Sequence, residues 1–195
     1  LLGLGIAPVL DSFKKGSITN RNSLIEQLEI AVNEAEIMAG RKIDSAYMAI
    51  TGDHIRCMNT QGAIALNRNK TNGTNDNKPI SLYDIQRVLE LTQGIALPPD
   101  RDILHTIPQE FIVDKLEKID DPIGLTGKRL EGHVHLVTAS TTAMKNLIES
   151  AEELGINING LVFKPLASAM PAFTKDEIKL GVSIIDIGST TTSIA

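Results

Sequence analysis

The sequence predicts an α/β fold in which one layered α/β subdomain is interrupted by an inserted α+β domain. Residues 1–52 have the order strand, helix, strand, which favours an α/β layer containing a parallel pair of strands. The same alternation returns near residue 133, whereas the residues between differ in character. The predicted domains are therefore 1–52 and 133–195, forming the two parts of one subdomain, and 53–132, forming the insertion.

The first part is predicted to begin with a strand at 1–7. A helix then starts at Asn20 and ends at Gly40, which is a typical C-terminal cap. Apolar residues recur along it at intervals of four and three, as on one face of an amphipathic helix: Leu24, Leu28, Ala31, Ala35 and Met38. Residues 45–51 are apolar and are predicted to form a buried strand.

The insertion is predicted to contain one helix and several extended segments. Residues 67–77 have no large apolar side chain to bury, which predicts a mobile loop. Ser81 begins the helix, and Asp84 has the spacing of a capping box. Its inner face is expected to carry Leu82, Ile85 and Leu89. The extended segments are expected at 54–59, 62–66 and 103–116, the first two forming short strands around a turn, and a further strand at 130–139 crosses the predicted boundary into the second part of the subdomain.

After the insertion the α/β alternation is predicted to resume. Thr141 or Thr142 caps a helix that continues to about Gly155. The remaining predicted elements are strands at 161–163, 181–187 and 192–195 and a short helix at 167–173.

Composition excludes several classes of protein. The 195 residues carry a net charge of −5, only 3% aromatic residues and no Trp, which argues against a nucleic-acid binder. Cys57 is the single cysteine, so an internal disulfide or a Cys-rich zinc site cannot form. No apolar run is as long as a membrane span. Because the chain lacks an initial Met and begins and ends in apolar sequence, we expect a fragment of a longer protein.

The most informative motif follows the apolar strand that ends near Asp186. The next residues form a turn of small and hydroxyl side chains that contains Gly188. Free turn amides and hydroxyls suit phosphate oxygens, and Gly188 permits the backbone angles that such a turn needs. Asp186 is placed to hold Mg²⁺, usually through water. The alternative interpretation is an ordinary strand–turn–strand hairpin.

Histidine and paired acidic residues give weaker signals. His133 and His135 lie two apart on a predicted strand, which is one geometry for a metal pair, but ordinary strand histidines are the more frequent case. Asp120 and Asp121 precede Pro122 and indicate a turn. The motifs of hydrolase triads, Walker A loops and dinucleotide folds do not occur.

Two segments of the insertion are distinctive, HTIPQEF at 105–111 and PIGLTGKRL at 122–130. Further segments of the same kind lie at 31–40, 47–55, 134–138 and 181–188. Together they resemble the FtsA family of bacterial cell-division proteins, which are actin-like ATPases. The two insertion segments are the most specific, because other actin-like proteins lack an insertion at this place.

The resemblance implies a two-lobed ATPase with an actin-like, RNase H-like core, of which this chain is part of one lobe. It implies ATP and Mg²⁺ as cofactors, with Asp186 as metal ligand. The second phosphate loop that it implies comprises Asp186, Gly188, Ser189, Thr190 and Thr191. The family loop usually reads Asp-Ile-Gly-Gly-Gly-Thr, so Ser189 and Thr190 replace two glycines, and Ser193 replaces an acidic residue.

The resemblance also implies partners. Residues 53–132 would take part in self-association and contact later division proteins. Parts outside these residues would bind FtsZ and the membrane, which places the protein on the cytoplasmic face of the inner membrane at the division septum. The intact protein is expected to hydrolyse ATP slowly at most, and this part alone to be inactive. Two alternatives stay open: a small-molecule kinase of the same superfamily, and a nucleotide-independent actin-like assembly component.

Overall fold

In the computed structural model, the residues described are 1–9, 11–66, 79–188 and 191–195. They form two compact units, one of Leu1–Ile55 with Ala139–Ala195 and one of Arg56–Thr138. We call these the host unit and the inserted unit. The predicted α/β class is confirmed, and the predicted loop at 67–77 lies outside the described residues.

The described elements follow one another from a short hairpin near residue 13 to a second hairpin at the end of the chain. In order they are β1 (Phe13–Lys14), β2 (Ser17–Ile18), α1 (Arg21–Ala39), β3 (Ser45–Ile50), β4 (Arg56–Ala65), α2 (Leu82–Gln93), β5 (Arg101–Val113), β6 (Leu116–Ile119), β7 (Arg129–Ser140), α3 (Thr141–Glu152), β8 (Asn157–Phe163), α4 (Lys164–Ala172), α5 (Lys175–Leu180), β9 (Ile185–Ile187) and β10 (Thr192–Ile194).

The first long helix, α1, forms where the apolar spacing predicts it. The Asn20 side chain caps it by accepting a hydrogen bond from the Ser23 amide at 3.2 Å, and Gly40 ends it with a left-handed φ of 64°. Leu24 is buried, but Met38 is 62% exposed although its spacing predicts the inner face. Spacing identifies the apolar face of a helix, but it does not show how far a neighbour covers that face.

The parallel strand pair of the host unit is β3 with β8, in register from Ser45 opposite Asn157 to Ile50 opposite Phe163. The strand predicted at 1–7 is wrong, because residues 1–9 form neither helix nor strand. This segment instead lies against α1, where the Ile6 amide donates to Glu34 at 2.8 Å and a side chain at Gly5 would overlap the Ala31 carbonyl. An apolar run becomes a strand only beside another strand, and this one has a helix as its neighbour.

The inserted unit has a four-stranded sheet in the order β4–β7–β5–β6. β4 and β7 are antiparallel over ten residue pairs, from Arg56 opposite Thr138 to Ala65 opposite Arg129. The prediction of two short strands around a turn is therefore wrong. Gly62 lies beneath α2 rather than in a turn, since a Cβ there would approach the Thr92 methyl carbon to 3.1 Å. The same ladder extends the inserted unit to Thr138, beyond the predicted boundary at 132.

The core of the inserted unit lies between α2 and this sheet. Its buried members are Ile64, Ile80, Val88, Phe111, Val113 and Leu130. The predicted capping box of α2 is confirmed, with Asp84 accepting from both the amide and the hydroxyl of Ser81. Leu82 was predicted to face inward but is 66% exposed, and Val88 takes the central position.

The second part of the host unit differs from prediction at its element ends. α3 is capped by Ser140, one residue before the predicted Thr141. α4 starts at Lys164, before the predicted start at residue 167. The sequence analysis does not predict α5, although Thr174 and Glu177 form a capping box at its start. The strand predicted at 181–187 is regular only from Ile185. Within the described ranges, no helix is both long enough and apolar enough to cross a membrane.

Candidate functional site

The predicted phosphate turn is the tip of an antiparallel hairpin formed by β9 and β10. Asp186 lies opposite Ser193 in this hairpin, and two backbone hydrogen bonds between Ile184 and Ala195 extend the ladder. The Gly188 amide donates to the Thr191 carbonyl at 2.9 Å, so this amide closes the turn. Ser189 and Thr190, which follow Gly188 in the sequence, lie outside the described residues.

The Asp186 carboxylate is bound by a lysine that sequence reasoning missed. Lys164 Nζ lies 3.1 Å from Oδ1 and 3.0 Å from Oδ2 of Asp186, whose side chain is only 18% exposed. Lys164 is the first residue of α4, immediately after β8. Nothing in the sequence connects the two residues, which are 22 positions apart. The fold brings them together by placing the start of α4 beside β9.

Two hydroxyl groups belong to the same region of the host unit. Thr51, which follows β3, and Ser193 on β10 have their side-chain oxygens 2.9 Å apart. Ser193 and Asp186 are opposite each other in the hairpin, so their side chains lie on one face of it. We call Thr51, Lys164, Asp186 and Ser193 the Asp186 cluster. Sequence reasoning missed Thr51 as well, since it follows a strand with no motif around it.

The Asp186 cluster suits an anion better than a metal ion. One carboxylate and one ammonium cancel in formal charge, while the ammonium and the hydroxyls are hydrogen-bond donors. Both oxygens of Asp186 contact Lys164, and the positive charge of this ammonium would repel a magnesium ion that approaches the same carboxylate. Among the described residues, no three His, Cys, Asp or Glu side chains gather as a metal site.

The histidines on β7 are held separately, each by other side chains. His133 lies between two carboxylates, with Nδ1 3.0 Å from Glu110 and Nε2 3.1 Å from Glu131. His135 Nδ1 lies 2.7 Å from the Asn59 side-chain oxygen. The hydrogen bond to Glu131 raises the pKa of His133 above its ordinary value, with help from Glu110 and against partial burial. These contacts are those of strand histidines in a polar surface rather than of a metal pair.

A polar groove lies beside His133 on the sheet of the inserted unit. Its volume is about 380 Å³. It is lined mainly by amide and carboxylate groups, from Asn59, Thr60, Gln61, Gln109, Glu110, His133 and Val134. We call this the polar groove. Its open, hydrogen-bonding surface suits contact with another protein better than capture of an apolar small molecule.

The fold and the β9–β10 hairpin define the general class of protein. The chain is an actin-like α/β subdomain with an inserted domain. A solved structure, the PilM-PilN type IV pilus biogenesis complex, superposes with a TM-score of 0.59 over 94% of this chain and 46% of that chain. The sequences are 16% identical, so this likeness shows the fold alone.

Sequence comparison then shows which proteins the chain is similar to. Residues 52–138 match the family model described as the SHS2 domain inserted in FTSA. Over all its residues the chain is 36% identical to the cell division protein FtsA of Pseudomonas aeruginosa, and 32% identical to that of Escherichia coli K12. The Bacillus subtilis protein is 35% identical. The chain spans 44%, 44% and 42% of these relatives respectively. It is an FtsA-like sequence, and the predicted resemblance is confirmed.

Proposed function

We propose that this chain is part of a cell-division adaptor that binds ATP, self-associates, links FtsZ filaments to the membrane and recruits later division proteins. The observation that carries the proposal is the SHS2 domain at 52–138, inserted in an actin-like subdomain whose whole sequence is similar to FtsA proteins. FtsZ and membrane contacts would depend on parts outside these residues. The protein would then act on the cytoplasmic face of the inner membrane, at the septum.

ATP would contact this chain through the β9–β10 hairpin. Asp186, Gly188 and Thr191 are the described residues of the proposed phosphate loop, together with Ser189 and Thr190 outside the description. Within the Asp186 cluster only Asp186 is a carboxylate able to accept a proton, and Lys164 already holds it. We therefore propose slow hydrolysis at most. The magnesium ion at Asp186 stays a prediction, and Lys164 contacts both oxygens of that carboxylate.

This chain alone would bind ATP weakly or not at all. One hairpin offers a few hydrogen bonds, each contributing about 0.5–1.5 kcal/mol net. The loss of free translation and rotation costs at least about 4 kcal/mol. Binding therefore needs the parts of the longer protein that supply the rest of the nucleotide pocket.

Self-association and partner contact would use the inserted unit. The outer face of α2 exposes Tyr83, with the Arg87 guanidinium 5.8 Å from its ring centre. Tyr and Arg are enriched in protein interfaces and at their energetic centres. Lys128 adds an exposed positive charge at the start of the β7 region. Contact between identical subunits in a filament is head-to-tail and uses two different patches, because only such contacts propagate.

The test is charge reversal on the inserted unit in the full-length protein. Arg87→Glu combined with Lys128→Glu should abolish ATP-dependent sedimentation on lipid and weaken capture of a later division protein. Lys175→Glu, on the exposed start of α5 in the host unit, is the matched control. Circular dichroism checks that each variant folds. Retention of both assembly and capture by the folded double variant would refute an interaction surface on the inserted unit.

A further inference from the structure

We propose that Lys164 is the resident cation of the β9–β10 hairpin and makes phosphate binding there independent of Mg²⁺. The inference rests on the proposed ATP-binding function and assigns to that site a residue and a cation requirement. In this view the ammonium of Lys164 occupies the side of Asp186 where a hydrated metal ion would otherwise bind.

The contacts of Asp186 support this assignment. The Lys164 ammonium lies within 3.1 Å of both oxygens of the Asp186 carboxylate, so this one ammonium contacts the whole carboxylate group. Such charge-assisted hydrogen bonds are stronger than neutral ones. The Asp186 side chain is 18% exposed and that of Lys164 is 43% exposed, so solvent screens the pair only in part. A metal ion approaching the carboxylate would be repelled by the positive charge of this ammonium.

The charge of the Asp186 cluster leads to the same conclusion. Mg²⁺ in phosphate sites is usually held by one or two carboxylates together with the substrate phosphates. The cluster has one carboxylate, and Lys164 already neutralises it. Lys164 therefore already supplies beside Asp186 the positive charge that a divalent cation would otherwise bring.

The position of Lys164 is fixed by the fold, which lets it serve as a stable binding group. Phe163 at the end of β8 is 8% exposed, and Pro165, in the first turn of α4, is buried. The backbone on both sides of Lys164 is therefore anchored. An ammonium has three N–H donors. Two contacts to Asp186 leave one donor for a phosphate oxygen, assisted by the hydroxyls of Thr51 and Ser193.

The first experiment measures ATP binding to the full-length protein by calorimetry, once with Mg²⁺ and once with EDTA. Wild-type affinity should be similar in the two buffers. In EDTA, Lys164→Met should weaken binding by about tenfold, the cost of one charge-assisted hydrogen bond. The weakening should be smaller with Mg²⁺, because the freed carboxylate can accept the ion. Lys145→Met is the matched control, as its side chain is 72% exposed and forms an i,i+4 pair with Glu149 at 3.7 Å.

The second experiment uses a metal without nucleotide, so that it separates this inference from the proposed function. Mn²⁺ replaces Mg²⁺, and the methyl resonances of Ile185 and Ile187, which flank Asp186, report on paramagnetic broadening. Lys164→Met should show broadening that wild type lacks, and adding Asp186→Asn should remove it.

The outcomes are distinct. A wild-type protein that loses ATP affinity by about tenfold or more in EDTA overturns the role of Lys164 but leaves ATP binding intact. A protein that binds no ATP in either buffer overturns the proposed nucleotide function, and the Mn²⁺ experiment then decides about Lys164. Equal broadening in wild type and Lys164→Met, or none in either, overturns the inference, because Lys164 would not be what keeps a cation from Asp186.

Discussion

Gly16 connects the first hairpin of the host unit to the candidate site, and its replacement by Ala is predicted to be costly. It lies between β1 and β2 with a φ of 84°, next to Lys15, which has a φ of 52°. A Cβ at Gly16 would lie 2.9 Å from the Thr51 carbonyl carbon and would overlap the Thr51 oxygen and Gly52 Cα. Thr51 belongs to the Asp186 cluster, so the same change would also displace a site residue.

Two costs add at this position. A left-handed backbone costs a residue with a Cβ about 1–2 kcal/mol, part of which is offset by about 0.4–1 kcal/mol because Ala restricts the unfolded chain. Overlap with backbone that cannot rotate away adds about 1–3 kcal/mol. We therefore expect Gly16→Ala to lower the free energy of unfolding of the host unit by about 2–4 kcal/mol.

Gly155 provides a matched control for the backbone cost. Its φ is 78°, but a Cβ there would meet nothing within 4 Å, so Gly155→Ala should cost only about 1 kcal/mol. Hydrogen exchange of the β3 amides, measured by mass spectrometry, reports the opening free energy of the host unit in each variant. Equal losses of unfolding free energy in the two variants would refute the reasoning, because the close approach of Gly16 to Thr51 would then add no cost of its own.

Two further predictions concern the inserted unit. Leu130 is fully buried, so Leu130→Ala should lower the free energy of unfolding by about 3–5 kcal/mol in urea titrations. The control, Leu116→Ala, changes a 65% exposed side chain and should alter this free energy by less than about 1 kcal/mol. Similar losses in the two variants would contradict the assigned core. The raised pKa of His133 means that its carboxylate contacts stabilise the fold fully below the ordinary pKa of 6.5 and progressively less as the pH rises through the higher folded value. His133→Gln should remove this part of the pH dependence of stability, and an unchanged profile would show that the contacts with Glu110 and Glu131 do not hold in solution.

Local signals in the sequence predicted the helices well. Asn20 and Gly40 gave the ends of α1, and Ser81 with Asp84 gave the start of α2, because caps satisfy backbone groups within a few residues. Thr174 and Glu177 carry the same kind of local signal for the start of α5.

Contacts between distant segments could not be predicted in the same way. The turn assigned around Gly62 is a strand residue under a helix, and only the packing of α2 shows why a glycine is needed there. A strand at 1–7 would need a neighbouring strand to pair with, but this segment lies against the helix α1. Lys164 and Asp186 form the centre of the candidate site, yet each has an ordinary local context, so their pairing depends wholly on the tertiary fold.

The β4–β7 ladder also has a consequence for the entropy of the chain. The inserted unit comprises 83 residues, from Arg56 to Thr138 (138 − 56 + 1), and its first and last residues are directly opposite in the ladder. When the inserted unit is folded, its first and last residues are held together, so the host unit has only a short loop to close at this point. When the inserted unit is unfolded, the host unit must close a loop as long as the whole inserted unit, at an extra entropic cost of about 3 kcal/mol. Folding of the inserted unit therefore stabilises the host unit through chain connectivity alone, and the loss of its core would lower the stability of the β9–β10 hairpin.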